Sequence, residues 1–553
     1  MKIRFCGAAR CVTGSCHLIT FADKSILVDC GMRQGADTKT GLPEGEFPFD
    51  PASLDAVLIT HAHIDHTGLL PLLVKRGFKG SIYTTSATAE LCSIMLPDSG
   101  HIQEQEAEYQ SRKNERAGKP PVEPLYTAQD AVACMKYFKG VSYNETVTVT
   151  DGASVRFTDV GHLLGSAAIE LWVEENGKKA SVLFSGDVGR DDRPIIKDPE
   201  SVDGADYLLL EATYGDRNHD ASTDDEKKAQ FANALKLAIA RGGNIVIPSF
   251  AIGRTQEILF YIKRMLIENT VPGLERVPVY IDSPLGIAAT DIYQKCEKEF
   301  YDQETRDMAK DGDTFAFPTL RVAQTADESK AINDQKGCNI IISSSGMCEA
   351  GRIRHHLKHN LYRADSTVIF AGYQAVGTLG RMLVDGAEKI KIFGEEIRVN
   401  ATIDVLEGFS GHAGKDELIE WVQEMKVKPS CIYLVHGEES ALSTLAAALE
   451  SLQYTVEIPE LYDEIDLASG RRKKAEVVPF KPAAQPQKDK KGRPAPIAAD
   501  ANDYAKRIRK QAQRITALLE QVEGSPENAT LLRMMEKDLR LFTEKWEDFF
   551  LES

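Results

Sequence analysis

Four residues able to hold a metal, His61, His63, Asp65 and His66, fall within one six-residue stretch of the sequence. Imidazole and carboxylate without thiolate suit Zn²⁺, with Mn²⁺ and Fe²⁺ as alternatives. The stretch follows Ala56-Val57-Leu58-Ile59-Thr60, which reads as a buried strand, and precedes Gly68 to Val74, which reads as the start of a helix. The ligands are therefore expected on a strand-to-helix loop. Solvated loop residues are the bland alternative, and so many ligands on one loop argue against it.

One loop rarely completes two metal shells, so further ligands are expected at the ends of other strands. Three motifs have that placement: His162 in Gly161-His162-Leu163-Leu164-Gly165-Ser166, Asp187 in Ser185-Gly186-Asp187-Val188-Gly189, and His436 in Leu434-Val435-His436-Gly437-Glu438. Singly, either histidine reads more often as structural and the aspartate as a turn former beside glycine. Together they read as parts of one site.

Through H-x-H-x-D-H, the later histidine and the aspartate of S-G-D, the sequence resembles the metallo-β-lactamase superfamily. More narrowly it resembles the β-CASP nucleases, with Glu211 in Glu-Ala-Thr-Tyr-Gly-Asp-Arg, His412 in Phe-Ser-Gly-His-Ala-Gly and His436 in Val-His-Gly-Glu. Among these it looks like the prokaryotic homologues of the endonuclease subunit of the cleavage and polyadenylation specificity factor. The resemblance implies two Zn²⁺ per chain: His61, His63 and His162 on one, Asp65, His66 and His436 on the other, and Asp187 bridging. It implies that Asp29 supports the ligands from behind, and that His412, oriented by Glu211, is the general acid. The structural alternative for Glu211 and His412 is weighed against their positions, a strand end and a Ser-Gly loop, which suit a rim better than a core. Paired cations about 3.5–4 Å apart acidify a water and neutralise charge on phosphorus, so a phosphodiester fits such a site. The resemblance also implies RNA rather than DNA, because RNA-acting members keep a histidine at the position of His436.

Two helix starts offer a phosphate cradle. Ser343-Ser344-Ser345-Gly346 leads into a helix opened by Arg352, and Arg254 opens another. Free N–H groups, small residues and cations make Ser343, Ser344, Gly346, Arg352 and Arg254 the expected substrate contacts. Individually such arginines are more often solvated or paired with acids.

The elements that must position these residues read as an α/β protein: a metallo-β-lactamase αββα sandwich with an inserted parallel-sheet β-CASP domain and a C-terminal helical hairpin. The first thirty residues read as antiparallel hairpin strands, and 86 to 137 as largely helical. Strand and helix alternate from 212 to about 395, which implies a parallel sheet. Thr402 to Leu406 and Cys431 to Val435 then read as strands of the resumed sandwich. The expected divisions are 1–211 and 396–480 for the sandwich, 212–395 for the insert, 481–502 for a Pro- and charge-rich linker, and 503–553 for the hairpin.

At 553 residues, 42% hydrophobic and 27% charged, the chain can bury more than one core. It has no run of the roughly twenty apolar residues that a membrane span needs, and MKIRFCGAAR lacks a signal-peptide core, so the expected location is cytoplasmic. The ten cysteines form no Cys-x-x-Cys pair and read as reduced. The net charge of −17 opposes a polyanionic partner, but residues 471 to 514 hold fourteen Lys or Arg against four acids, a local +10 that leaves −27 elsewhere. The expected partner is single-stranded RNA. A homodimer is compatible with the sequence, and the C-terminal hairpin reads as a face for a protein partner, with RNA second. Two other functions are weighed: a small-molecule thioester or lactone hydrolase, which would not need so large an insert, and a non-catalytic scaffold, which would not need every ligand position filled.

Overall fold

The chain begins with three short apolar strands joined by small-residue turns: Lys2–Phe5, His17–Phe21 and Lys24–Val28 pair antiparallel in sequence order. Ala56–Leu58, Ser81–Thr85 and Phe138–Val141 then add in parallel, each after a helical or turn crossover. Asp463–Asp466 and Arg472–Lys474 close the other edge of this eight-stranded sheet. The computed structural model describes residues 1–218, 223–296, 300–310, 312–375, 377–406, 408–474 and 479–480. The expected linker and helical hairpin lie outside the described residues.

A second sheet of seven strands runs in the order Val456–Glu457, Cys431–Val435, Tyr207–Glu211, Lys178–Phe184, Ala167–Glu175, Ala153–Asp159, Thr146–Thr150. The two sheets meet face to face. Phe5, Val28 and Leu58 of the first pack in one cluster with Phe157, Ile169 and Tyr433 of the second. Alternate residues of the first sheet, Leu27, Val57 and Ile82, turn outward onto Leu70, Leu73, Leu91 and Leu96 of the helices Leu70–Lys75 and Ser86–Arg116. The outer face of the second sheet is covered by Leu418, Trp421, Leu442 and Leu445 from the helices Lys415–Gln423 and Glu439–Ser451. Strand alternation thus places a layer on each side of both sheets, giving the expected αββα sandwich.

Between the second and third motif-bearing strands of that sheet the chain builds a six-stranded parallel sheet. Its order is Leu320–Val322, Val279–Ile281, Ile340–Ser343, Ile245–Pro248, Thr367–Phe370, Thr402–Val405. The first covering helix, Asp224–Arg241, starts at a reciprocal cap between Thr223 and Glu226 and stops at Gly242, whose φ of 85° ends the helix in the left-handed region. One strand differs from expectation. Thr402–Val405 pairs in register with Thr367–Phe370 and is the edge of the parallel sheet, not a strand of the resumed sandwich. Its pattern of half-buried residues suits either edge, and only the neighbour selects the sheet.

All ten cysteines are free thiols. Among the described residues no helix is long and apolar enough to cross a membrane.

Phe157 lies between the two sheets with no exposed surface. Phe157→Ala is expected to lower stability by about 3–5 kcal/mol, read as a drop in the urea midpoint of the sandwich transition, whereas a loss under about 1 kcal/mol would mean that the interface is not the core.

Candidate metal centre

The chemistry-bearing residues stand where strands end. Asp29 follows Lys24–Val28 and His61 to His66 follow Ala56–Leu58, on neighbouring parallel strands. Asp187, Glu211 and His436 follow or end Lys178–Phe184, Tyr207–Glu211 and Cys431–Val435, three adjacent parallel strands of the other sheet. The sheets are linked across this end: the Ala167 amide donates to the Thr60 carbonyl (2.9 Å), and the His436 amide to that of Ala8 (2.8 Å). His66 belongs to a single helical turn, Ile64–Thr67, that begins before the helix expected at Gly68.

Two groups of donor atoms result. In the first, His61 Nε2 lies 3.0 Å from His63 Nδ1, which lies 3.3 Å from His162 Nε2. Asp187 Oδ2 completes it, 3.5 Å from His61 Nε2 and 3.7 Å from His162 Nε2. In the second, His66 Nε2 and His436 Nε2 are 3.2 Å apart, Asp65 Oδ2 is 3.6 Å from His436 Nε2, and Asp187 Oδ1 is 3.4 Å from His66 Nε2. Asp187 therefore turns one oxygen to each group.

These distances test whether the residues fit a metal. Four donors at 2.0–2.1 Å from a tetrahedral Zn²⁺ stand about 3.3 Å from one another, which is the spacing found here. Asp187 Oδ1 is buried and makes no hydrogen bond, a costly state for a carboxylate oxygen unless a cation faces it. Burial pushes the His61 and His162 rings well down from the usual histidine range and lowers that of His63, favouring the neutral form, which binds metal. Burial likewise penalises charge on Asp187, but the surrounding imidazoles outweigh it and hold the carboxyl well below its usual range. Around His66 burial is outweighed by Asp187 and Asp29, which raise its affinity for positive charge. The donor set fits a metal here.

Ring orientation is set from behind. Asp29 Oδ2 accepts from His66 Nδ1 at 2.7 Å, leaving the Nε2 lone pair for the second group. Asp29 is held in turn by Ser15 Oγ (3.0 Å) and by the Thr60 amide (3.0 Å), and it adopts a φ of 58°, in which its short side chain reaches back toward the loop. His162 Nδ1 donates to the Gly411 carbonyl (3.3 Å), and Thr213 Oγ1 lies 3.1 Å from His436 Nδ1. Sequence reasoning passed over Thr60, Thr213 and Ser15. A hydroxyl beside a ligand motif was the available signal, too common to single out.

Glu211 is buried and fully engaged: Oε1 accepts from the Val188 amide (2.8 Å), Oε2 from the Thr213 amide (3.0 Å). His412 Nδ1 stands 3.3 Å from Glu211 Oε1 and 3.9 Å from Asp187 Oδ2, at the edge of the metal groups. Burial alone would lower its pKa, but Glu211, Asp187 and Asp65 outweigh it and raise it above the usual histidine range. Its loop is clamped by the one that follows Asp187. The Ala413 amide donates to the Val188 carbonyl (2.8 Å), and Arg190 donates to that of Gly408 (2.8 Å). Arg193, also missed from sequence, donates to the His162 carbonyl at 2.6 Å and to that of Gly411 at 3.3 Å.

The expected phosphate contacts divide. Ser343 is buried at the end of its strand and donates to the Asp282 carbonyl (2.8 Å). Gly346 is in close contact with Phe250, and the hydroxyl of Ser344 is buried with no hydrogen-bond partner. Arg352 donates to Asp282 (2.7 Å) and to the carbonyls of Ala323 (2.8 Å) and Gln324 (2.7 Å). Arg254 is 9% exposed, pairs with Glu257 and lies 5.6 Å over the Phe409 ring. Both guanidinium groups are thus consumed by internal acceptors, because a buried carboxylate such as Asp282 binds a nearby cation before solvent-borne phosphate can.

Comparison with known proteins agrees with this geometry. Residues 9–238 match the metallo-beta-lactamase superfamily, 255–383 the Beta-Casp domain, and 396–459 the Zn-dependent metallo-hydrolase RNA specificity domain. The chain is similar to Ribonuclease TTHA0252 of Thermus thermophilus, at 35% identity over 449 residues covering 81% of this chain and 96% of that protein. It is also similar to proteins called Transcription termination factor FttA. The one from Methanocaldococcus jannaschii is 29% identical (82% of this chain, 69% of that one) and the one from Methanosarcina mazei 30% (81% and 69%).

Asp29→Asn keeps the shape but removes the anionic acceptor of His66 Nδ1. Metal affinity is expected to fall roughly 10- to 100-fold, measured by competition with a chromogenic chelator, and an unchanged affinity would exclude the orienting role.

Proposed function

Because this chain belongs to the β-CASP family of the metallo-β-lactamase superfamily, we propose that it is a zinc-dependent ribonuclease that hydrolyses phosphodiester bonds of single-stranded RNA in the cytoplasm. The observation that carries the reading is Asp187, one oxygen toward each of two histidine-rich donor groups 3.0–3.7 Å across, with His412 beside them. The residues fit two Zn²⁺: His61, His63 and His162 would hold one, Asp65, His66 and His436 the other, and Asp187 both. When bound, the ions supply the charge that acidifies a water and neutralises a phosphoryl oxygen.

The protein's own groups account for the rest. Neutral imidazoles bind without having to lose a proton, and Asp29 fixes the tautomer of one of them. Glu211 holds His412 by Nδ1 and, with Asp187, raises its affinity for a proton, so Nε2 is the atom placed to donate to the departing ribose oxygen. Glu211 is itself pinned by the amides of Val188 and Thr213, which keeps the carboxylate from turning toward the metals. The match of residues 396–459 to an RNA specificity domain and the likeness to Ribonuclease TTHA0252 support RNA as substrate. A thioester or lactone hydrolase would share the metal loop but gives no role to the His412–Glu211 pair.

The test is incubation of the purified protein with an RNA labelled separately at each end, with and without chelator, beside thioester and lactone substrates. RNA cleavage that chelator abolishes and zinc restores is expected, with the small substrates inert. Cleavage of the thioester or lactone and not of RNA would overturn the assignment. His412→Ala is expected to lower kcat on RNA by roughly 10²- to 10⁴-fold with metal content retained, and full turnover would remove its role as acid.

A further inference from the structure

Among the described residues five aromatic side chains are exposed: Tyr109, Phe250, Tyr362, Tyr373 and Phe393. Two of them, each 45% exposed, follow the adjacent parallel strands Ile245–Pro248 and Thr367–Phe370 of the inserted sheet. Ligands of parallel sheets gather at such carboxyl ends. Phe250 rests its ring on Gly346, so closely that a Cβ there would stand 2.8–2.9 Å from two ring carbons. Gln374 donates to the carbonyls of Gly346 and Tyr373, both at 3.1 Å, and so fastens Tyr373 to the same serine-glycine loop. The partnerless hydroxyl of Ser344 is part of that loop.

From Tyr373 the line continues to the metal centre. Tyr373 is near enough to act electrostatically on Tyr214 and Arg217. The Tyr214 ring meets the His412 ring edge-on, 5.9 Å between centroids and 64° between planes, and the Arg217 guanidinium lies 5.4 Å over the Tyr214 ring. A half-buried aromatic ring therefore stands against His412 with a cation over it, and exposed rings follow two strand ends of the insert.

We propose that Phe250 and Tyr373 are stacking platforms for unpaired bases of the RNA strand whose phosphodiester lies at the metal centre. The proposal rests on the ribonuclease reading and names how that substrate is held. Stacking suits this chain in particular. The net charge is −17, and Arg254 and Arg352, tied to internal carboxylates, leave little free charge at these strand ends to hold a polyanion. Every base has a π-face, so a stacked strand is held with little regard to sequence, and a duplex, whose bases are already stacked, is not. Phe250, seated on a glycine, offers its outer face without having to move.

The experiment compares kcat/KM on a single-stranded RNA with that on the same strand carrying abasic ribose at the positions flanking the cleaved bond. The wild-type protein is expected to prefer the base-bearing strand by roughly 5- to 100-fold per stacked base, expressed in KM more than in kcat. Phe250→Ala with Tyr373→Ala should bring the preference close to one, while Phe250→Trp with Tyr373→Phe should keep it. Thermal melting that matches the wild type identifies each variant as folded. A preference unchanged in the folded alanine double variant overturns the proposal and leaves the ribonuclease reading intact, as would a patch that instead serves a protein partner. Wild-type protein that cleaves neither strand overturns the ribonuclease reading and this proposal with it.

Discussion

The Asp187 carboxylate is the interaction on which the centre depends. It is 2% exposed, and it faces five histidine rings (61, 66, 162, 412 and 436) from its place after Lys178–Phe184. A carboxylate so buried is costly in a low-dielectric interior unless positive charge is concentrated around it. The five rings come from four separate loops, so the arrangement exists only when both sheets are assembled. The apolar contact of the sheets is what brings those loops to one end, and the cost of burying Asp187 is met there by the imidazoles and by the metal they are shaped to hold.

The same constraint explains the arginines. Arg190 and Arg193 leave the Asp187 motif and end on carbonyls of the loop that carries His412 and of His162. They convert a flexible Ser-Gly loop into one placed against the metal groups, and Arg193 also approaches Glu257 on the first residues of an insert helix, at 3.9 Å. Sandwich and insert are thereby tied at the site itself. Guanidinium is suited to this task because its forked donors satisfy several carbonyls at once while keeping their charge.

Several elements were readable from local pattern alone. The antiparallel opening strands, the 86–137 helices and the strands at 245–248, 279–281, 340–343 and 367–370 follow from runs of apolar residues with a period that one element imposes. Thr402–Val405 was not assignable, since a half-buried strand looks the same at the edge of either sheet. The ion pairs of Arg254 and Arg352 were hidden for a related reason: a cation at a helix start reads as a phosphate contact until the carboxylate next to it, distant in sequence for Arg352 and Asp282, is known. Thr213 and Thr60 carried no distinguishing signal at all, because a hydroxyl becomes an orienting group only through the ring nitrogen that stands about 3 Å away.

The sequence by itself determined that a loop of four candidate metal ligands follows a buried strand, and its motifs, set beside a known family, named the remaining candidates. Those are short-range properties, a residue type and its position relative to a strand end, and they survive without coordinates. The tertiary structure alone decided that Asp187 divides its oxygens between two groups, that Glu211 is pinned before it meets His412, and that Phe250 and Tyr373 adjoin one serine-glycine loop. Such facts depend on angstrom-scale distances between loops as much as several hundred residues apart, and side-chain chemistry specifies those distances only after two sheets and an insert have packed.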